Sequence, residues 1–152
     1  MKYHTKDELE HFGFSEAVVV SVRLQLGSFY MELDNVTIHP ENSCNRDIRA
    51  MRANGLRLKL PECEMVSFAR EAYKVYDADG NLTQTEEDQE VDREEYADTF
   101  QKLEGMTVYD ITKQDQRYHI ELDVEEFTYH IDVKASQDEE EWDRFLSKEV
   151  AI

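Results

Sequence analysis

The stretch "YHIELDVEEFTYHIDV", residues 118–133, sets imidazoles and carboxylates at alternate positions. His119, Glu121, His130 and Asp132 are residue types that ligate zinc or iron, or pass protons, when the chain brings them together. The alternation decides whether it does. Tyr118, Ile120, Leu122 and Val124 share one face, as do Phe127, Tyr129, Ile131 and Val133, which is the pattern of two half-buried strands joined by a turn at Glu125-Glu126. Facing residue numbers then sum to 251, so His119 opposes Asp132, Glu121 opposes His130 and Asp123 opposes Thr128. Both histidines meet carboxylates on the face away from the apolar set. An open face of that kind is expected to hold solvated ion pairs and neither metal nor cofactor, because metal centres need partly dry clefts and hydrogen-bonded support around their ligands.

A second constellation is cationic. Arg46, Arg49 and Arg52 recur every third residue beside Asn42, Ser43 and Asn45; on a short helix they would form a strip able to hold a carboxylate or phosphate. The carboxylates of this chain compete for the same guanidinium groups. "YDADGN", residues 76–81, spaces Asp77, Asp79 and Asn81 like the start of a calcium loop, but Gly80 precedes Asn81 instead of following the third ligand, so a hairpin turn is expected. There is no GxSxG, no HExxH and no glycine-rich phosphate loop, and Cys44 lies among polar loop residues. The expectation leans away from an enzyme.

Charge narrows the partners. The net charge is −18, with 10 Lys/Arg against 11 Asp/Glu in residues 1–76 and 7 against 24 in residues 77–152. That field repels phosphate backbones and anionic membranes and attracts a basic protein. The longest apolar stretch, Ala17 to Val20, cannot span a bilayer, and charged residues stand where a signal peptide needs its apolar core. A cytoplasmic protein is expected, with Cys44 and Cys63 preferred as free thiols. At 152 residues the chain suits one domain.

The elements that must position these residues follow from periodicity. "AVVVSVRLQL" aligns Val18, Val20, Val22, Leu24 and Leu26 on one strand face, turning at Gly27-Ser28 into a strand with Phe29, Met31 and Leu33 inward. Apolar parity then shifts to Val36 and Ile38, which calls for a bulge or a corner at Asp34-Asn35. "LRLKL", "ECEMVSFAREAYKVY" and "MTVYDIT" read as further strands, and residues 84–92 as a solvated loop. Helices are expected at four places: a capping-box turn opened by Thr5 and Glu8, a segment ending at Gly55, residues 93–105 around Tyr96, Phe100 and Leu103, and "SQDEEEWDRFL" with Trp142, Phe145 and Leu146 as its apolar stripe. The fold class is mainly β, α+β at the margin: an antiparallel sheet curved into a sandwich or partly open barrel with three or four short peripheral helices.

The segments "HPENSCNRDIRAMRANGLRLKL", "EAYKVYDADGNL" and "EEEWDRFL" resemble pieces of a group of small, acidic, uncharacterised bacterial proteins. The resemblance implies a bacterial, intracellular protein and transfers no site residues. Two functions stay open: a non-enzymatic module whose acidic half docks a basic partner, and a binder of small anionic ligands, or an enzyme, with its site in the curved sheet beside Arg46, Arg49 and Arg52.

Overall fold

The computed structural model describes residues 1–71, 73–125 and 127–147. In chain order the strands are β1 (Tyr3–Lys6), β2 (Phe12–Gly13), β3 (Val18–Gln25), β4 (Ser28–Asp34), β5 (Val36–Ile38), β6 (Met51–Ala53), β7 (Leu56–Leu60) and β8 (Glu64–Arg70). They continue as β9 (Tyr73–Tyr76), β10 (Leu82–Glu86) and β11 (Gln89–Glu90), then, after the helix α1 (Tyr96–Lys102), as β12 (Thr107–Gln114), β13 (Arg117–Val124), β14 (Phe127–Lys134), β15 (Glu139–Trp142) and β16 (Leu146–Ser147). Ten strands form one sheet in the order β1-β15-β7-β4-β3-β12-β13-β14-β8-β11, β16-β6-β5-β2 form a second, and β9 pairs with β10. All described pairings are antiparallel, and the ten-stranded sheet is not closed into a barrel. Among the described residues no helix is long and apolar enough to cross a membrane.

The large sheet bends back on itself. β13 and β15 are separated by four strands in the sheet order, so in a flat sheet they would lie about 24 Å apart. Instead the Tyr118 hydroxyl of β13 donates a 2.7 Å hydrogen bond to Asp138, one residue before β15. Inside the bend, Phe100 of α1 packs against Phe29 of β4 and Phe68 of β8, so the helix plugs the space between distant strands.

Several expectations match. The apolar parity shift after β4 is a corner: Asn35 adopts φ 60° and the chain leaves the ten-stranded sheet for the four-stranded one. Asp77 accepts hydrogen bonds from the amides of Asp79 and Asn81, closing the β9–β10 turn in which Gly80 takes φ 84°. The helix around Phe100 ends before Gly105 as read from the sequence. Both cysteines are free.

Other expectations fail for identifiable reasons. In β3 a bulge between Val19 and Ser21 turns Val19 and Val22 inward and leaves Val18 and Val20 partly exposed; the turn is Leu26-Gly27, one residue earlier than expected. The loop expected over 84–92 contains the end of β10 and all of β11. Most importantly, α1 is the single α-helix among the described residues, accompanied by two one-turn 3₁₀ segments, so three or four helices is a correction. Thr5 lies in β1 and bonds Glu140, and Glu8 serves Ser43 and His11 instead of a helix cap. Before Gly55, Asn42, Asn45 and Asp47 each accept a hydrogen bond from an amide two residues on, and such turns take the backbone groups that a helix needs. At the carboxyl end, Glu140 and Trp142 are fully buried while Glu139 and Glu141 face Lys59 and Arg57 of β7. Period two, not 3.6, governs that segment.

Candidate functional site

The β13–β14 hairpin has the register read from the sequence: His119 pairs with Asp132, Glu121 with His130 and Asp123 with Thr128. Tyr118, Ile120, Leu122, Ile131 and Val133 are buried, which leaves the alternate residues on the outer face. Glu126, half of the expected turn, lies outside the described residues. β12 extends this face on one side, with Asp110 beside Glu121 and Thr112 beside His119. β8 and β11 extend it on the other, with Ala69 beside His130 and Glu90 beside Ala69. Asp110, Glu121, Asp123, Asp132, Glu71 and Glu90 therefore share one side of a five-stranded surface.

At its centre the histidines interact. His119 Nδ1 lies 2.6 Å from Asp132 Oδ1, and His119 Nε2 lies 3.1 Å from Glu121 Oε1 and 3.2 Å from His130 Nδ1. His130 Nδ1 is 3.7 Å from the same Glu121 oxygen, and its Nε2 is 3.4 Å from Glu71. The rings stack with centroids 5.1 Å apart. All four residues predicted for the cluster are in one place, and Glu71 joins them. The four predicted side chains are between 24% and 36% exposed and Glu71 is 53% exposed, so the centre of the site is a half-buried surface and not a fully solvated one. Burial pulls the His119 imidazole down, but hydrogen bonds to Asp132 and Glu121, together with their charges, outweigh it and hold the group above the usual histidine range.

The arginines do not form a helical strip. Arg46 and Arg49 sit in the loop before β6, and Arg52 sits within it. Arg49 pairs with Asp47 at 3.4 Å and Arg52 donates to Asn54 at 3.3 Å. Arg46 lines an open groove of about 650 Å³ together with Tyr3, Cys44, Ile48, Met51 and Phe145.

A further polar cluster was absent from the sequence reading. Asp138 and Glu140 are both fully buried where the sheet folds over. Asp138 Oδ2 accepts hydrogen bonds from Tyr118 at 2.7 Å and from Lys113 at 3.4 Å, and Glu140 Oε1 accepts one from Thr5 at 2.8 Å. Asp138 Oδ1 and Glu140 Oε2 find no donor; a proton carried by Glu140 and offered to Asp138 satisfies both. Burial, followed by the hydrogen bond and charge of Asp138, pushes the Glu140 carboxyl up to about 10. Burial and the bond to Asp138 push the Tyr118 phenol up as well. The signal was present in "DEEEW", where Asp138, Glu140 and Trp142 share parity, but a helical reading of the segment hides it.

The chain matches no protein-family model, no curated protein and no solved structure.

Proposed function

We propose that this protein is a non-enzymatic, cytoplasmic interaction module that docks a basic protein through the outer face of β12-β13-β14-β8-β11. The observation that carries the reading is the gathering of Asp110, Glu121, Asp123, Asp132, Glu71 and Glu90 on that one surface. Lys134 and Arg117 face each other at the end of the hairpin away from Asp123, with Glu64 of β8 beside Lys134, so the cations of this surface are confined to one end. A cationic partner would be steered to the acidic end and oriented by that asymmetry. The same field disfavours nucleic acid. Free thiols suit a reducing compartment.

The test is affinity capture from the native host with the intact protein and with a charge-reversed variant, Asp110→Lys/Asp123→Lys/Glu90→Lys. A basic protein is expected to be retained at low ionic strength, to lose roughly tenfold or more in affinity between 50 and 200 mM salt, and to be lost by the variant. Capture of the same partner by both forms, or of no basic partner, contradicts the proposal. One observation favours a second reading, in which a small anionic ligand binds the groove beside Arg46: the groove joins that guanidinium to an apolar wall of Tyr3, Met51 and Phe145. Loss of anion binding on Arg46→Gln would single it out.

A further inference from the structure

Three lone-pair-bearing atoms converge on the outer face of the hairpin. His119 Nδ1 is hydrogen-bonded to Asp132 at 2.6 Å, and the Glu71 carboxylate lies 3.4 Å from His130 Nε2 as an ion-pair contact. In the tautomer with His119 protonated on Nδ1 toward Asp132 and His130 protonated on Nε2, His119 Nε2 and His130 Nδ1 offer lone pairs beside Glu121 Oε1. A proton on His119 Nε2 shared with Glu121 at 3.1 Å, or a metal ion in its place, brings the three atoms together.

The size of the triangle tells which cation fits. Its sides are 3.1, 3.2 and 3.7 Å, which puts the point equidistant from all three atoms about 1.9 Å from each. Zinc bonds nitrogen and carboxylate oxygen at about 2.0–2.1 Å, and a tetrahedron of that radius has edges of roughly 3.3 Å, close to the mean of these sides. An octahedral ion with similar bonds has adjacent ligands only about 3.0 Å apart, and an all-oxygen preference excludes calcium and magnesium from a site with two imidazoles.

The surroundings supply what a bare surface pair lacks. His119 has Asp132 hydrogen-bonded to its far nitrogen, the carboxylate–histidine–metal arrangement that fixes ring orientation and raises ligand basicity, and Glu71 lies 3.4 Å from the far nitrogen of His130. The ligands stand on neighbouring strands in a fixed register, with Glu121 opposite His130 and His119 two residues from Glu121, so β-sheet geometry holds them without a loop. The buried set Ile120, Leu122 and Ile131 anchors the same strands from the other side.

We propose that His119 Nε2, His130 Nδ1 and Glu121 Oε1 bind one divalent ion of the zinc class, with Asp132 and Glu71 orienting the imidazoles and water taking the outward fourth position. The site does not depend on the docking function proposed above.

The experiment is titration of chelator-treated full-length protein with Zn²⁺ against a competing indicator dye, repeated with Co²⁺ to read coordination from its visible absorption. One saturable equivalent is expected, with the intense visible bands of four-coordinate Co²⁺. His119→Gln, His130→Gln and Glu121→Gln should each weaken binding about 100-fold or more, and Asp132→Asn about 10- to 100-fold because the ligands remain but the ring loosens. His4→Gln and His39→Gln, on other elements, should leave it unchanged. Far-UV circular dichroism and the urea midpoint of each variant establish that it is folded, as expected for outward-facing positions. Absence of a saturable equivalent in the intact protein, or binding that survives the His119→Gln/His130→Gln double substitution, overturns the proposal and leaves the cluster a proton-sharing ion-pair network.

Discussion

Glu140→Gln is expected to stabilise the protein by roughly 2–3 kcal/mol at pH 7 and by little at pH 4.5. The Glu140 carboxyl, ordinarily near 4.5, is held at about 10 in the fold by burial and by Asp138. Below pH 4.5 both folded and unfolded chains carry the proton, and the stability linked to this group is complete. Between about 4.5 and 10 the unfolded chain releases the proton while the fold retains it, so stability falls as pH rises through that window. At about 1.4 kcal/mol per pH unit the loss by pH 7 is roughly 3 kcal/mol. Glutamine cannot ionise in either state, yet its amide can donate toward Asp138 and accept from Thr5, whose hydroxyl lies 2.8 Å from Glu140. Urea unfolding of both proteins at the two pH values measures the difference. An equal gain at both, or a loss at pH 7, contradicts the placement of a neutral Glu140 against Asp138.

Trp142→Ala carries the largest expected loss, about 3–5 kcal/mol. Trp142 is fully buried and meets Tyr3, Phe12 and Phe145, each with ring centroids 5.6 Å away. It thereby fastens β15 to β1 and to the four-stranded sheet through β2. Trp142→Phe is expected to cost only about 1 kcal/mol, because it keeps most of the aromatic contact and removes an indole N–H that has no acceptor. A loss below about 1 kcal/mol for the alanine variant, measured by the same unfolding curves, would mean that this indole is not in the core.

These two residues also mark where the sequence was legible and where it was not. The hairpin from Tyr118 to Val133 alternates without interruption, and a shift of one residue would have turned Ile120, Leu122 and Ile131 into water, so its register followed from burial alone. The parity change at Asn35 exposed the corner between β4 and β5 for the same reason. "DEEEWDRFL" misled because acids at a segment start followed by spaced aromatics satisfy a helix, whereas the fold buries Asp138 and Glu140, which local patterning prices as too costly. Only partners on three other strands, Thr5 of β1, Lys113 of β12 and Tyr118 of β13, make their burial tolerable, and that partnership is invisible in one dimension.

The same limit applies to the arginines. Their period of three suggested one helical face, but it could not show that Asn42, Asn45 and Asp47 would close the backbone into successive turns instead. For the histidine cluster, the cross-strand pairs were readable, while Glu71 reached His130 only through the packing of β8 against β14. The support around the imidazoles was thus half visible: Asp132 came from the hairpin register, and Glu71 from tertiary structure.

The central claim is that β13 and β14 pair in the register that hides the aliphatic set and gathers histidines and acids on one outer surface. Backbone nuclear Overhauser contacts in isotopically labelled protein measure this most directly. Contacts between residues 119 and 132, 121 and 130, and 123 and 128 are expected, together with exchange-protected amides along both strands. Contacts displaced by one residue on either strand would send Ile120 or Ile131 to solvent and separate His119 from His130, and both the docking surface and the metal site would fall with them.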